Sequence, residues 1–212
     1  MPRWGVLWVL SLLAGCESVE YEVKEQFGIE KRDIVAARVE DASEAQEEAK
    51  TQFQSALHEF SSVVGFKGGD LEALYDDLKS AFEESESRAA TVTARIDDVE
   101  RVSEALFSEW RAELGEYTNA NLRRESERKL TATETKYKEL MVSMRRAESR
   151  MDPVLDAFRD QVLYLKHNLN AQAIASLKSE FAGMESDVAR LIADMETAIT
   201  RSQAFIRDLE AA

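Results

Sequence analysis

Turn-forming and cross-linking residues are scarce in this chain. It has one cysteine, Cys16, two prolines and eight glycines in 212 residues. A single cysteine excludes disulfides within the chain, so stability must come from packing. Few glycines and prolines argue against a β or α/β fold, which needs many tight turns. Basic residues are outnumbered, 27 against 41 acidic, for a net charge of −14. Nucleic-acid binding draws on Lys and Arg to neutralise phosphates, so no nucleic-acid partner is expected. No apolar run reaches the roughly 20 residues of a membrane-spanning helix. What is abundant is charge, 32 % of residues, mixed with Ala and Leu. That is the composition of long helices and coiled coils.

Residues that carry chemistry are equally sparse. The two histidines, His58 and His167, have no Glu three positions before them, so the di-iron Glu-x-x-His pair of helical bundles is absent. H-E-x-x-H and G-x-S-x-G are also absent. Gly65, Gly68 and Gly69 lack phosphate-loop spacing and read as a hairpin turn. Carboxylate pairs such as Asp76–Asp77 and Glu83–Glu84 recur along the chain and read as solvated helix faces. Met144, Met151, Met184 and Met195 fall on helical seams and read as core. The chain is therefore expected to be no enzyme, with no catalytic residue, metal ligand or cofactor.

The N-terminus carries the most specific signal. Arg3 precedes a nearly unbroken apolar run from Trp4 to Leu13, the charge and apolar regions of an export signal. Leu13, Ala14, Gly15 and Cys16 then spell L-A-G-C, which resembles the bacterial lipobox. The resemblance implies cleavage between Gly15 and Cys16 and acylation of Cys16. Two or more acyl chains anchor a protein stably where one does not. Removing residues 1–15, with Arg3, would leave a charge one unit more negative than −14. Such a surface is repelled by anionic headgroups, so the lipid must do the anchoring. By similarity to other lipoproteins, Glu17 in place of Asp points to the outer membrane, facing the periplasm. Residues 16–33 read as a lipidated tether, in which Val19, Val23 and Phe27 are spaced by four.

Residues 34–212 read as one helical domain. The first seam is Val35, Val39, Ala42, Ala45, Ala49, Phe53, Ala56, Phe60 and Val63, with steps of three and four that keep one stripe on a partner helix. Asp70 is a natural N-cap for a second helix, expected from Leu71 to about Tyr117. Its seam keeps an unbroken three-four rhythm from Phe82 to Trp110. A third helix is expected after Asn119 and Asn121, running to about His167 and kinked at Pro153, with its seam register unbroken there. A fourth is expected from Ala171 to Leu209, although the weak Asn168–Asn170 break leaves a continuous helix possible. The fold class is thus all-α: an elongated antiparallel bundle or coiled coil of three to four long helices.

Two surface features stand out. Residues 121–150 hold nine basic and five acidic side chains, against 11 and 26 in residues 17–120. This basic stretch reads as a partner for acidic neighbouring helices, or else as a docking stripe for an acidic partner. Tyr164, His167 and Asn168 lie one turn apart on one face. They read as a buried polar cluster or helix–helix turn, or else as a contact surface.

Several runs carry a family likeness: K-R-D-I-V at 31–35, G-G-D-L-E at 68–72, A-L-F-S-E-W at 105–110, M-R-R-A-E at 144–148, and P-V-L-D-A-F-R-D-Q-V-L-Y-L-K-H-N-L-N-A-Q-A-I-A-S-L at 153–177. They resemble the bacterial domain-of-unknown-function family twenty-nine fifty-nine over roughly residues 30–210. The resemblance implies an uncharacterised bacterial helical protein and supplies no catalytic residues. The expected role is structural, scaffolding or interaction at the cell envelope, with the membrane as partner through the lipid and an envelope protein or cell-wall polymer as a further partner. The alternative is a periplasmic chaperone-like module that binds lipid or apolar ligands between its helices.

Overall fold

The computed structural model describes residues 31–211. Among these are four α-helices: α1 (Lys31–Val64), α2 (Leu71–Glu113), α3 (Ala120–His167) and α4 (Ala171–Glu210). Gly15, Cys16 and most of the expected tether lie outside the described residues. The first described helix starts at Lys31, at the edge of the described residues.

The seams become the core. Every α1 seam residue from Val35 to Val63 is buried, and so are those of α2 from Leu78 to Leu106. On α3 the three-four stripe from Leu130 to Leu165, and on α4 that from Ile174 to Leu209, is buried, except that Tyr137 and Phe181 are half-buried against it. Buried neighbours widen each stripe: Val102 and Phe107 on α2, Met141 and Leu155 on α3. The extra width follows from the arrangement. α1 packs on α2 and α4, and α3 packs on the same two helices. Each helix therefore meets two partners, which takes a wider apolar stripe than a two-stranded coiled coil.

The cross-helix pairs show that neighbours run antiparallel. Between α1 and α4, Phe60 meets Phe181 and Lys50 lies near Glu196. Between α3 and α4, Tyr137 meets Phe205 and Arg146 reaches Asp194. The result is an up-down-up-down four-helix bundle. One end, the base, gathers the start of α1, the α2–α3 turn and the end of α4. The other, the tip, holds the α1–α2 loop and the α3–α4 turn. The 48 residues of α3 span about 70 Å at ~1.5 Å per residue.

The turns follow from their residues. In the α1–α2 loop Gly68 and Gly69 take φ of 142° and 118°, a region that side chains resist. The Asp70 carboxylate then accepts the Ala73 N–H at 3.1 Å. The side-chain oxygen of Asn170 accepts the N–H groups of Gln172 and Ala173 and opens α4. The α3–α4 break is therefore real, and a helix continuous through Asn168–Asn170 is excluded. α3, by contrast, runs through Pro153 as one helix, with Met151 and Val154 both buried beside it.

α2 ends at Glu113, short of the expected Tyr117, and Tyr117 is 41 % exposed. The reason is geometric. The N–H groups of Gly115 and Glu116 bond the carbonyls of Ala112 and Glu113, three residues back, at 3.0 and 2.9 Å, which tightens the chain out of the α-helix.

Candidate functional site

The expected contact residues sit at the tip. Tyr164 and His167 are exposed in the last turn of α3, and Asn168 caps it. The Asn168 Nδ2 group donates to the Tyr164 carbonyl at 2.9 Å, closing the helix end. The three form no buried polar cluster. They are an exposed helix terminus, because the α3 seam passes through Val162 and Leu165 and leaves Tyr164 and His167 facing outward. Leu163 and Leu169, 52 % and 39 % exposed, flank them. Sequence reasoning missed both leucines, since an apolar residue one step off a seam reads as core.

Along the shaft, much of the basic stretch of α3 is spent inside the molecule. Arg145 bridges to Asp97 at 2.7 Å and Glu100 at 2.5 Å on α2, and to Glu148 on its own helix. Partial burial alone would lower its pKa, but the hydrogen bonds that it donates to Glu148, Asp97 and Glu100 outweigh that and raise it. Arg146 and Arg150 converge on Asp194 of α4, and Lys136 meets Asp208. Arg159 bridges to Glu86 of α2 at 2.8 Å. These pairs tie α3 to both neighbours in one register.

Tyr137 is the most strongly shifted tyrosine among the described residues. Its ring lies 5.2 Å from that of Phe107 and 6.4 Å from that of Phe205. Burial, reinforced by the negative charges of Glu100 and Glu104, pushes its hydroxyl up to about 12. This is a packing residue at an ion-lined seam.

The base carries a groove of about 750 Å³ between the α2–α3 turn and the start of α1. Trp110 lies half-buried in it, its indole N–H donating to Ser126 Oγ at 2.8 Å. Tyr117, Leu122 and Lys31 also line it. Leu122 is 56 % exposed. The sequence placed Trp110 on a seam and gave Leu122, ahead of the α3 seam, no role, so the groove was not legible there.

Among the described residues no group of three or more His, Cys, Asp and Glu could hold a metal ion. No described helix is long and apolar enough to cross a membrane. No curated protein matches the chain. Residues 20–209 match the model of a family described as a protein of unknown function, DUF2959. That match takes in the four helices up to the last residue of α4, together with residues 20–30, and on its extent the chain belongs to the DUF2959 family.

Proposed function

We propose that the protein is a lipid-anchored spacer or scaffold of the bacterial cell envelope, held at the outer membrane through Cys16 and presenting its tip to an envelope partner. The observation that carries the reading is the separation of the two ends. Lys31, the first described residue, lies at the base, and α1, with its 34 residues, sets the tip about 50 Å away. The exposed side chains Leu163, Tyr164 and Leu169 lie at that far end. A rod with its seams filled by its own side chains suits spacing better than carrying a client between helices.

Two measurements test it. Acyl labelling in cells should mark the wild-type chain and fail on Cys16→Ala; equal labelling of both would sink the anchor. A photo-crosslinking residue at Leu169, in intact cells, should trap one dominant envelope protein or cell-wall polymer. The same residue at Glu83, on the exposed shaft, should trap much less. Equal yields at the two positions would remove the tip as the contact surface.

A further inference from the structure

Pro153 carries no N–H, so the carbonyl of Ser149, four residues earlier, loses its usual partner within α3. Ser149 and Pro153 line a groove of about 290 Å³ on the flank between α3 and α4, with Arg146, Arg150, Val154 and Asp187. One carboxylate holds both arginines. Arg146 reaches Asp194 through Nε at 2.9 Å, and Arg150 reaches the second oxygen of the same carboxylate, also through Nε. Asp194 is mostly buried, with 14 % of its side chain exposed. The terminal Nη groups of both arginines have no partner among the described residues. The two side chains stand one turn apart on one face of α3.

Tying α3 to α4 at this point takes one arginine on Asp194. The second adds a charge that the tie does not use. Asp187 is engaged on one oxygen by Arg190, which also bonds Ser186 Oγ at 2.8 Å. Three guanidinium groups against two carboxylates leave one positive charge at the groove, on a chain whose net charge is −14.

Guanidinium groups with open Nη edges suit a tetrahedral oxyanion, because the planar fork of Arg matches its oxygens. The acceptors beside them decide which oxyanion. A carbonyl and a carboxylate oxygen can only accept a hydrogen bond. A phosphate monoester, whose second pKa is about 6, still carries a P–OH proton part of the time near neutral pH. Sulfate has none to give, so its charge would face the Ser149 carbonyl and Asp187 unrelieved.

We propose that this groove binds inorganic phosphate or a small soluble phosphate monoester. The Nη groups of Arg146 and Arg150 hold its oxygens, and its P–OH donates to the Ser149 carbonyl. The site lies on the shaft, away from base and tip, and needs neither acylation of Cys16 nor contact at the tip, so it goes beyond the spacer reading.

The test is a titration of the full chain, isotopically labelled in its arginines, read from the Nε–H resonances. At constant ionic strength, inorganic phosphate and glycerol phosphate should each shift the Arg146 and Arg150 signals saturably. Sulfate should bind about tenfold more weakly, the effect of one unmet hydrogen bond to a charged group. Arg146→Lys keeps the charge and loses the fork, and should weaken phosphate binding by about tenfold. Arg146 is 63 % exposed and Arg150 still pairs with Asp194, so the variant keeps its fold; an unmoved Arg145 signal reports this. Arg128→Gln, at the base, should bind phosphate as the wild type does. Shifts that never saturate, equal affinity for phosphate and sulfate, or equal affinity of wild type and Arg146→Lys would each overturn the site. Binding to vesicles of phosphatidic acid alone would overturn the soluble ligand.

Discussion

Gln46 is fully buried on α1, and neither of its side-chain polar atoms has a hydrogen-bond partner among the described residues. An amide in that condition costs about 1–3 kcal/mol by protein mutational measures. Gln46→Met keeps the shape and removes the polar atoms. Denaturant unfolding should show the variant more stable by about that amount; a loss of stability would mean that the amide is bonded in solution. A lone polar core residue can fix register at some cost in stability. The sequence concealed Gln46 for an instructive reason. A strict three-four rhythm from Val39 passes through Ala42, Gln46 and Ala49, but a search for apolar residues selects Ala45 instead. Rhythm, not polarity, was the better guide at that position. Tyr137 gives a second residue-scale prediction. Its folded pKa of about 12 lies above the ordinary value of 10.0, so the folded state holds the phenol proton more tightly. The resulting stabilisation is complete below pH 10 and is lost as pH rises from 10 towards 12. It amounts to something on the order of 2 kcal/mol. Unfolding free energies measured across that window should fall more steeply for wild type than for Tyr137→Phe; parallel curves would remove Tyr137 as the source.

The helices themselves were legible because their stripes are long and regular, and long periodic segments leave little doubt about type. Their ends were less so. α2 was expected to reach Tyr117 and stops at Glu113, where the turn tightens through Gly115 and Glu116 ahead of the Asn119 cap of α3. Pro153 removes a hydrogen bond locally, yet α3 continues through it with its seam unbroken, as the register predicted. Burial of Met151 and Val154 on either side offsets the lost hydrogen bond. Gly183 shows the opposite imbalance. It lies inside α4, and a Cβ added there would meet nothing within 4 Å. Gly183→Ala should therefore stabilise the protein by about 0.5–1 kcal/mol through the helix preference of alanine and the reduced freedom of the unfolded chain. Thermal unfolding would reveal it as a raised midpoint. No rise would mean that the glycine backbone is used for close approach in an assembly.

At the scale of the molecule, composition was a reliable guide to class and a poor one to sites. Charge and helix content implied an elongated all-α body, and the four-helix bundle follows. The base groove was not readable, because it is assembled from residues far apart in sequence, such as Lys31, Trp110 and Leu122, whereas the tip residues Tyr164, His167 and Asn168 are neighbours in the chain and stood out there. The elongation is measurable. A rod about 70 Å long and ~20 Å across has a radius of gyration near 21 Å, whereas a compact domain of this size would have about 16 Å. Small-angle scattering should return the larger value for residues 31–211, and a value near the smaller one would exclude the extended bundle. The antiparallel arrangement also has a mechanical consequence. A pull between Lys31 at the base and the α3–α4 turn at the tip acts along the helix axes. α1 cannot peel away from one end under that load. It must slide past α2 and α4 along its whole buried face, so the seams resist together rather than one layer at a time. A body loaded in this way behaves as a tie, strongest in the direction in which it is longest.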